Sequence, residues 1–519
     1  MKSLHRTLGL AVACLCLTRG LGAQQARSLS LEDALRMSQL ESEALRIAEA
    51  GVTRAEGQQL QARSQYLPQI NGSAGYTRTL ATQFSAFAEA SPTPPPGTPP
   101  VPPRDTTSFF APCNRYLAPA GATDAERIRA LELFSRCSLG GGLDFSRVGF
   151  GAKNQYQLGA QGSLTLWSGG RVQAQNRAAQ AGRRSADIEV AAQRAQLALQ
   201  VTQAYYDAVL ADRLVQIAES ALVQTEGTLT QTTLARQIGN QSEFELLRAQ
   251  VTRDNQLPQL IQRRTERDLA YLRFKQLVNL PYGQDVRLTT NIDEPEERQV
   301  RTVASIATGS ELIAPDTSVD ARAPVRQLNE SVRAQEAQLA VANSEWLPTV
   351  SLTSSYSRLA FGSAGVPSWG NWLNNWTVSL GASFPLFSGG RIKGDQMIAR
   401  AGLEESKARL DQTRELAALD AQQSFAQLRQ AEAALAASAG TAQQAARAYT
   451  IADVRYREGI STQLELSESR LLLEQSRANR AVAARNLQVA RVRLALLRDL
   501  PLGAGAGAGG VTTGLGGFN

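Results

Sequence analysis

Histidine and cysteine, two side chains widely used in acid–base, nucleophilic and metal chemistry, are scarce in this sequence. His5 is the only histidine among 519 residues, and it shares the start of the chain with Cys14 and Cys16, two of the four cysteines. If this start is a removable export signal, the mature chain has no histidine for triads, general bases or metal sites. A catalytic thiol then lacks a base, and we find no phosphate-binding loop. The sequence therefore predicts no enzyme, no cofactor and no metal.

The first residues have the pattern of a secretory signal. A basic start and an apolar run over 8–17 precede Leu21-Gly-Ala23, which offers a small-residue cleavage site. We expect residues 1–23 to be removed. Lipidation of Cys14 is the alternative, although the residues before it match a lipobox poorly.

The charge of the chain does not point to a nucleic acid partner. The formal net charge of +7 falls to about +4 without the signal, and the basic residues are interspersed with acidic ones on helical stretches. We expect no nucleic acid binding.

The sequence contains one unit twice. Leu164-Thr-Leu-Trp-Ser-Gly-Gly-Arg171 returns as Phe384-Pro-Leu-Phe-Ser-Gly-Gly-Arg391, at an offset of 220 residues. An offset of 280 superposes Leu67-Pro68 on Leu347-Pro348, so the first copy carries about 60 additional residues. Such self-similarity predicts an architecture built from two equivalent units.

A very long helix is predicted after each Ser-Gly-Gly-Arg turn. The ranges 171–238 and 391–458 are rich in Ala, Gln, Arg, Leu and Glu and contain no proline. Each spans about 100 Å as a helix, and its heptad seam of small and aliphatic residues favours coiled-coil packing. We expect the serines to cap these helices and the glycines to permit the sharp turns. The turn residues are Ser168, Gly169, Gly170 and Arg171, then Ser388, Gly389, Gly390 and Arg391.

Each long helix is predicted to form one arm of a hairpin. Gly239 and Gly459 end the long helices, and returning helices begin after Ser242 and Thr462. Pro258 lies inside the first returning helix and predicts a kink or a break there.

In four segments, apolar residues recur at every second position. They follow the two Leu-Pro pairs and precede the two Ser-Gly-Gly turns, and they alternate apolar with uncharged polar residues over ten to thirteen positions. That length suits a tilted strand crossing a bilayer, and a soluble sandwich core is the alternative. Trp369, Trp372 and Trp376 cluster at one strand end like membrane-interface aromatics.

Four strands are too few to close a barrel with a lumen. An open sheet edge in lipid leaves backbone groups unpaired. We therefore expect the barrel to be shared between subunits.

Several of these motifs together carry a family resemblance. They are Leu29-Ser-Leu-Glu-Asp-Ala-Leu35, the two Leu-Pro strand entries, the paired Ser-Gly-Gly-Arg turns and the two glycine-tipped hairpins. Through them the chain resembles the TolC-type outer membrane efflux proteins over nearly all of its mature length. The resemblance implies a mainly α homotrimer, in which a 12-stranded outer-membrane β-barrel with four strands per protomer continues into a periplasmic α-helical coiled-coil barrel. It also implies docking onto a periplasmic adaptor protein and an inner-membrane transporter.

The resemblance also implies a polar gate and entrance at the hairpin tips. Glu245 and Tyr456 match residues that keep the family's periplasmic end shut, while Glu465 and Glu468 match an acidic entrance ring. Ser461 replaces an arginine of some members, so that part of the lock is absent or rebuilt. Carboxylate rings around a threefold axis would favour cations. The alternative is that these acids only stabilise the positive end of a helix, and that Tyr456 only fills the coiled coil.

An insertion over 81–150 separates the first two predicted strands. Thr123 to Glu126 resembles a capping box that opens a short amphipathic helix. Cys113 and Cys137 lie in this insertion, and a disulfide between them is expected in an exported protein. The insertion either narrows the outer mouth or is peripheral.

These expectations combine into one domain plan and one function. The plan has a first repeat over 24–281, an equatorial connecting segment over 282–322, a second repeat over 323–501 and a disordered tail over 502–519. The predicted function is a passive exit duct, at the outer membrane and extending into the periplasm, for a tripartite efflux or type I secretion system. A structural periplasmic coiled-coil scaffold is the alternative. Drugs, metal ions and proteins are equally open as the transported substrate.

Overall fold

The computed structural model describes residues 27–81, 111–140, 153–292, 297–308, 316–362, 369 and 372–503. The expected signal segment with Cys14, the proline-rich part of the insertion and the tail beyond Gly503 lie outside these residues.

The described chain is mostly helical, which confirms the prediction of a mainly helical fold. The helices are α1 (Leu31–Glu41), α2 (Glu43–Ser64), α3 (Asp124–Gly140), α4 (Arg171–Gln237), α5 (Glu243–Leu277), α6 (Glu297–Thr308), α7 (Ala323–Ser344), α8 (Arg391–Arg457) and α9 (Gln463–Leu496). The strands are β1 (Arg27–Leu29), β2 (Gln69–Arg78), β3 (Asn154–Trp167), β4 (Val286–Leu288), β5 (Thr349–Gly362) and β6 (Leu373–Ser383). Short 3-10 turns occupy Ala111–Tyr116 and Val319–Ala321.

The chain divides into two compact units. One, the helical unit, comprises 1–60, 174–340 and 393–519, and the other, the sheet unit, comprises 61–173 and 341–392.

The sheet unit contains one antiparallel sheet with the strand order β2-β3-β5-β6. Its central pairing runs from Asn154 opposite Gly362 to Thr165 opposite Ser351 before a local irregularity. Strands β2 and β6 are the two edges, so each has one side that is not paired within this sheet.

The register separates apolar from polar side chains across this sheet. Directly paired residues lie on one face, and the pairing places Tyr356 beside Trp376 and Leu352 beside Leu380. The apolar face comprises Ile70, Ala74, Tyr76, Tyr156, Leu158, Ala160, Leu164, Val350, Leu352, Tyr356, Trp376, Val378 and Leu380, together with small residues, Arg78, Asn154, Arg358 and Asn374. The opposite face carries mainly Ser, Thr, Gln and Asn. Trp376, Val378 and Leu380 are all more than 60% exposed, so the described residues leave much of this apolar face uncovered, as at an interaction surface.

The two longest helices of the chain have the same length. Helices α4 and α8 each span 67 residues, or about 100 Å. They begin at Arg171 and Arg391, which are 220 residues apart in the sequence. Alanine, glutamine and arginine sustain helices of this length because these residues lose little conformational freedom in a helix.

The main core of the helical unit surrounds three aromatic side chains. Tyr205, Tyr206 and Phe274 are buried, and the Tyr205 and Phe274 rings meet edge to face with centroids 5.7 Å apart. The Tyr205 hydroxyl lies 2.7 Å from Thr290 Oγ1, and β4 next to it pairs in parallel with β1. Helix α6 of the connecting segment contributes Val303 to this core. The connecting segment is therefore anchored by apolar burial.

The Leu29–Leu35 motif has a clear structural role. Ser30 caps α1 by accepting from the Asp33 N–H at 3.2 Å, and Asp33 reciprocates in a capping box. Leu29, Leu31 and Leu35 are buried in the main core. The polar residues of the motif cap the start of α1, and its leucines pack α1 into the main core.

Helix α5 continues without interruption through Pro258, where the sequence predicts a kink or a break. Proline removes one backbone donor and crowds the preceding turn. Pro258 is exposed, so water can reach the helical carbonyl that has lost its donor. The helix is therefore not broken at Pro258, and a kink there stays a prediction.

A buried network of charges joins three segments of the helical unit. Arg322, which precedes α7, is 0% exposed and donates from Nη2 to the Asp420 carboxylate on α8 at 2.6 Å. Arg493 on α9 donates to the other carboxylate oxygen at 2.9 Å and to Gln427 Oε1 at 3.0 Å. One carboxylate thus pairs with two buried guanidinium groups. If this carboxylate loses its charge, neither guanidinium group is placed to be hydrated instead.

We predict that Asp420→Asn destabilises the helical unit strongly. It leaves two buried arginines without their counter-charge, at a cost of about 3 to 5 kcal/mol. Asp411→Asn on the same helix is the matched control, because its carboxylate is 71% exposed in its pair with Arg414 and such pairs contribute at most about 1 kcal/mol. Unfolding followed by circular dichroism measures both, and equal losses would contradict the role of the network.

Candidate functional site

The two hairpin tips share one backbone geometry. Gly239 has φ +84° and Gly459 has φ +70°, the left-handed conformation that glycine adopts without strain. The Asn240 N–H donates to the Ala235 carbonyl at 2.8 Å, and the Ile460 N–H makes the equivalent bond at 2.8 Å. Both long helices therefore end in a Schellman motif.

Each returning helix begins with a capped acid. The Ser242 hydroxyl accepts from the Glu245 N–H at 3.3 Å, and the Thr462 hydroxyl accepts from the Glu465 N–H at 3.4 Å. Both carboxylates thus lie in the first turn of a helix, where the positive end of the helix dipole stabilises them.

Glu245 takes part in a contact between the two hairpins. With its amide oriented to satisfy its neighbours, Gln463 donates to the Glu245 carboxylate at 2.7 Å and to the Glu245 carbonyl at 3.0 Å. The same amide accepts from the Ala249 N–H at 3.1 Å. Gln463 is buried, so three hydrogen bonds shielded from water connect α9 to α5.

Tyr456 forms a second contact between the hairpins. Its hydroxyl lies 2.8 Å from Thr232 Oγ1, within hydrogen-bond distance and in a buried position. Its ring packs with Ala452 and Leu466 in a small apolar cluster. The hydroxyl therefore bonds to α4 rather than to Glu245, so the two predicted gate residues make separate contacts.

The predicted entrance acids lie on the exposed side of the second tip. Glu465 pairs with Arg455 at 3.6 Å, and both side chains are nearly half exposed. Glu468 is exposed one turn further along α9. Ser461 lies in the tip turn, where its N–H donates to the Arg455 carbonyl at 3.3 Å.

The two strand-to-helix turns have nearly identical backbones. Gly169 and Gly170 have φ +60° and +88°, and Gly389 and Gly390 have φ +59° and +90°. Ser168 Oγ accepts from the Val172 N–H at 3.3 Å at the start of α4. A Cβ at Gly169 would lie 2.6 Å from the Leu347 Cβ, whereas at Gly389 no described atom lies within 4 Å. Arg391 pairs with Glu345 at 2.8 Å in the second turn.

The predicted interface aromatics are close together in the sheet unit. The Trp369 and Trp372 rings are 5.4 Å apart, and Arg358 lies over the Trp369 ring at 4.5 Å. Trp376 Nε1 donates to Ser354 Oγ at 3.0 Å.

In the insertion, Cys113 is buried and disulfide-bonded. The side chain of Cys137 lies outside the described part of the chain, so the pairing between the two cysteines stays a prediction.

The described ranges lack two kinds of feature. They contain no group of three or more His, Cys, Asp or Glu side chains placed to hold a metal ion. No helix within them combines the length and the apolar character that crossing a membrane requires.

Sequence reasoning missed two features near the tips. Gln463 occupies the position that Glu243 has in the first repeat, and this acid-to-amide difference at the 220-residue offset was an available signal. Arg470 lies buried beside a small polar cavity between the helices. Nothing in the sequence distinguishes it from the exposed arginines around it.

Comparison with known proteins identifies the architecture. The family model described as outer membrane efflux protein matches residues 138–280 and 316–498, more than half of the chain. Among solved structures, the outer membrane protein VceC from Vibrio cholerae is similar at 17% identity and a TM-score of 0.62, over 90% of this chain and 95% of that one. The CmeC outer membrane channel of Campylobacter jejuni is similar at 15% identity and a TM-score of 0.64, over 91% and 86%. The open state of the MtrE outer membrane channel of Neisseria gonorrhoeae is similar at 16% identity and 0.64, over 90% and 88%. No curated protein matches the sequence significantly.

We predict that the Tyr456 and Thr232 hydroxyls are energetically coupled. A double-mutant cycle with Tyr456→Phe and Thr232→Val should give a coupling of about 1 kcal/mol in unfolding free energy, because either change removes the same buried hydrogen bond. The exposed Tyr282→Phe paired with Thr232→Val is the control and should be additive. Additive effects for Tyr456 would show that the bond contributes nothing.

Proposed function

Because the chain belongs to the outer membrane efflux protein family, we propose that it is the exit duct of an inner-membrane pump, passing solutes from the periplasm through the outer membrane. Members of this family are transport conduits rather than enzymes. The protein belongs to the outer membrane and extends into the periplasm. Transport here needs no chemistry in the duct, and the pump supplies the work.

The two-faced sheet with two unpaired edges is the observation that carries this proposal. Its exposed apolar face suits lipid and its uncharged polar face suits a water-filled lumen. In lipid, the backbone groups on the free sides of β2 and β6 need hydrogen-bond partners from protein, because no water is present. Three copies supply twelve strands and close the sheet into one barrel, with the Trp369, Trp372 and Trp376 cluster at a membrane interface.

In this assembly the tips of the helical hairpins face the periplasm. The repeats over 24–281 and 323–501 then each contribute one hairpin, with the segment over 282–322 between them. Three copies of Glu465 and Glu468 form an acidic ring that favours cations. The contacts of Glu245 with Gln463 and of Tyr456 with Thr232 hold the hairpins together in the resting state, and opening separates them.

The hairpin tips also suit a partner protein. Exposed apolar side chains surround both tip glycines, namely Leu234, Ile238, Phe244, Ile460 and Leu464. Apolar residues grouped in this way mark protein interaction surfaces. A periplasmic adaptor that bridges to an inner-membrane transporter fits this position, in an efflux or type I secretion system.

We predict that arginine on the apolar face of β6 blocks membrane assembly. Val378→Arg places a charge against lipid near the strand centre, at a cost of about 2 to 4 kcal/mol. The adjacent Thr377→Arg faces the polar side and is the matched control. We expect Val378→Arg to be lost from the outer-membrane fraction and Thr377→Arg to be retained there as a trimer.

Two outcomes of this fractionation would count against the proposal. Equal behaviour of the two variants would remove the lipid-facing assignment. Recovery of the unmodified protein in the aqueous extract would favour a periplasmic scaffold instead.

We predict that charge reversal at the entrance changes ion selectivity. The Glu465→Lys/Glu468→Lys variant replaces six carboxylates of a trimer with ammonium groups, and should lower the cation preference of single channels in planar bilayers. Glu405→Lys is the control, because it lies on α8 about 80 Å from the tip along the helix. Unchanged selectivity in the double variant would reject the entrance assignment and leave the duct itself untouched.

A further inference from the structure

Two arginines lie at one end of the apolar face of the sheet. Arg78 ends β2 and Arg358 lies near the end of β5, and they are the only charged residues in the four described strands of this sheet. The pairing places both on the face that carries the apolar side chains. The charge within these strands therefore has one sign and lies on one face, at one end.

Both arginines belong to the same short motif. Tyr76-Thr-Arg78 returns as Tyr356-Ser-Arg358 at the offset of 280 residues. Because alternate residues of a strand share a face, each arginine lies on the same side as its tyrosine, about 7 Å further along the strand. The motif thus occurs once in each repeat, and three copies in the proposed barrel repeat it around the circumference.

This end of the sheet is the outer end in the proposed barrel, so the inference rests on the proposed function. The two Ser-Gly-Gly turns follow β3 and β6 at the opposite end of the sheet unit, and the helices that leave them lead to the periplasmic tips. In strands tilted by about 40°, the arginines lie about 5 Å further from the membrane centre than their tyrosines. Tyrosines are typical of the membrane interface, so the guanidinium groups lie at the level of the lipid headgroups.

The described contacts of these arginines do not neutralise them. Arg358 donates from Nε to Asn374 Oδ1 at 2.6 Å, and its guanidinium carbon lies 4.5 Å from the centroid of the Trp369 ring. Both partners are uncharged, and they hold the guanidinium group in place while its charge remains. Arg78 is exposed. The positive charge at this end of the sheet is thus available to an anionic group.

We propose that these two arginines bind phosphate groups of a lipid in the outer leaflet. The donors of a guanidinium group form a planar fork that matches the oxygens of a phosphate, and the adjoining apolar face suits acyl chains. A phosphorylated lipid carries both groups in one molecule, whereas a free anion or an acidic peptide uses the arginine and leaves the apolar face uncovered.

The chemistry that fits best is a glycolipid whose phosphates have no neighbouring ammonium group, as in lipopolysaccharide. An ammonium group beside the phosphate, as in a zwitterionic phospholipid, would oppose the charge of the arginine. Lipid bound in this way anchors the barrel at a fixed depth in the outer leaflet.

A binding titration tests this proposal with two forms of one lipid. Full-length protein is purified in detergent, freed of lipid and titrated with fluorescently labelled rough lipopolysaccharide, and fluorescence anisotropy measures the binding. The second form is the same lipid after enzymatic removal of its phosphates. We expect the unmodified protein to bind the phosphorylated form at least about tenfold more tightly, because hydrogen bonds to charged groups are lost with the phosphates. Inorganic phosphate at the concentration of the lipid should not displace it.

Matched variants locate the site. Arg78→Gln/Arg358→Gln should remove the preference for the phosphorylated form. Arg63→Gln, which removes an exposed arginine on the other side of β2, should keep it. If the double variant is not recovered, Arg78→Gln alone takes its place and should lower the preference, since this exposed side chain can be replaced without disturbing the sheet.

Three outcomes would overturn the site. They are equal affinity of the unmodified protein for the two lipids, an unchanged preference in the arginine variants, and displacement of the lipid by inorganic phosphate. Conductance of the same samples in planar bilayers separates this proposal from the duct. A protein that conducts without distinguishing the two lipids rejects only the lipid site, and one that binds the phosphorylated lipid selectively without conducting rejects only the duct.

Discussion

Backbone polar groups need hydrogen-bond partners wherever water is excluded, and this requirement governs the sheet unit. The strand order leaves β2 and β6 each with one unpaired side, while the register directs apolar side chains to one face. In lipid, a sheet with these properties is incomplete as a single chain. In the proposed duct, pairing the edges between copies is therefore a condition for placing the apolar face in lipid, rather than a later addition to a finished fold.

In the helical unit, specific polar contacts determine how the helices pack. Small side chains in the long seams bring helices close but bury little apolar area per residue, so specific bonds fix which helix faces meet. Far from the tips along α8, Asp420 pairs with Arg322 and Arg493. Near the tips, Gln463 and Tyr456 each bond across the hairpins. Charged and polar contacts thus fix the helices both near the tips and far from them, and in the proposed duct the contacts near the tips are the ones that separate on opening.

Local patterns in the sequence predicted the helices and strands well. They could not predict contacts between residues far apart in the sequence. Composition and the absence of proline were enough to find α4 and α8, and the period-two pattern was enough to find the strands. The partner of Tyr456 lies 224 residues away, and the helix register that brings Thr232 to it depends on packing. The burial of Arg470 could not be predicted for the same reason, since an arginine on a largely polar helix is normally expected to be exposed. Pro258 did not break its helix, because the cost of proline in a helix depends on whether water can reach one carbonyl.

The two strand-to-helix turns share a sequence and a backbone, yet their surroundings differ. The first glycine of the leading turn faces Leu347, while its counterpart Gly389 faces open space. Asparagine and aspartate tolerate a left-handed backbone, so Gly389 can be exchanged at small cost where Gly169 cannot. Of two turns with the same backbone, the later one thus has more latitude for substitution in evolution.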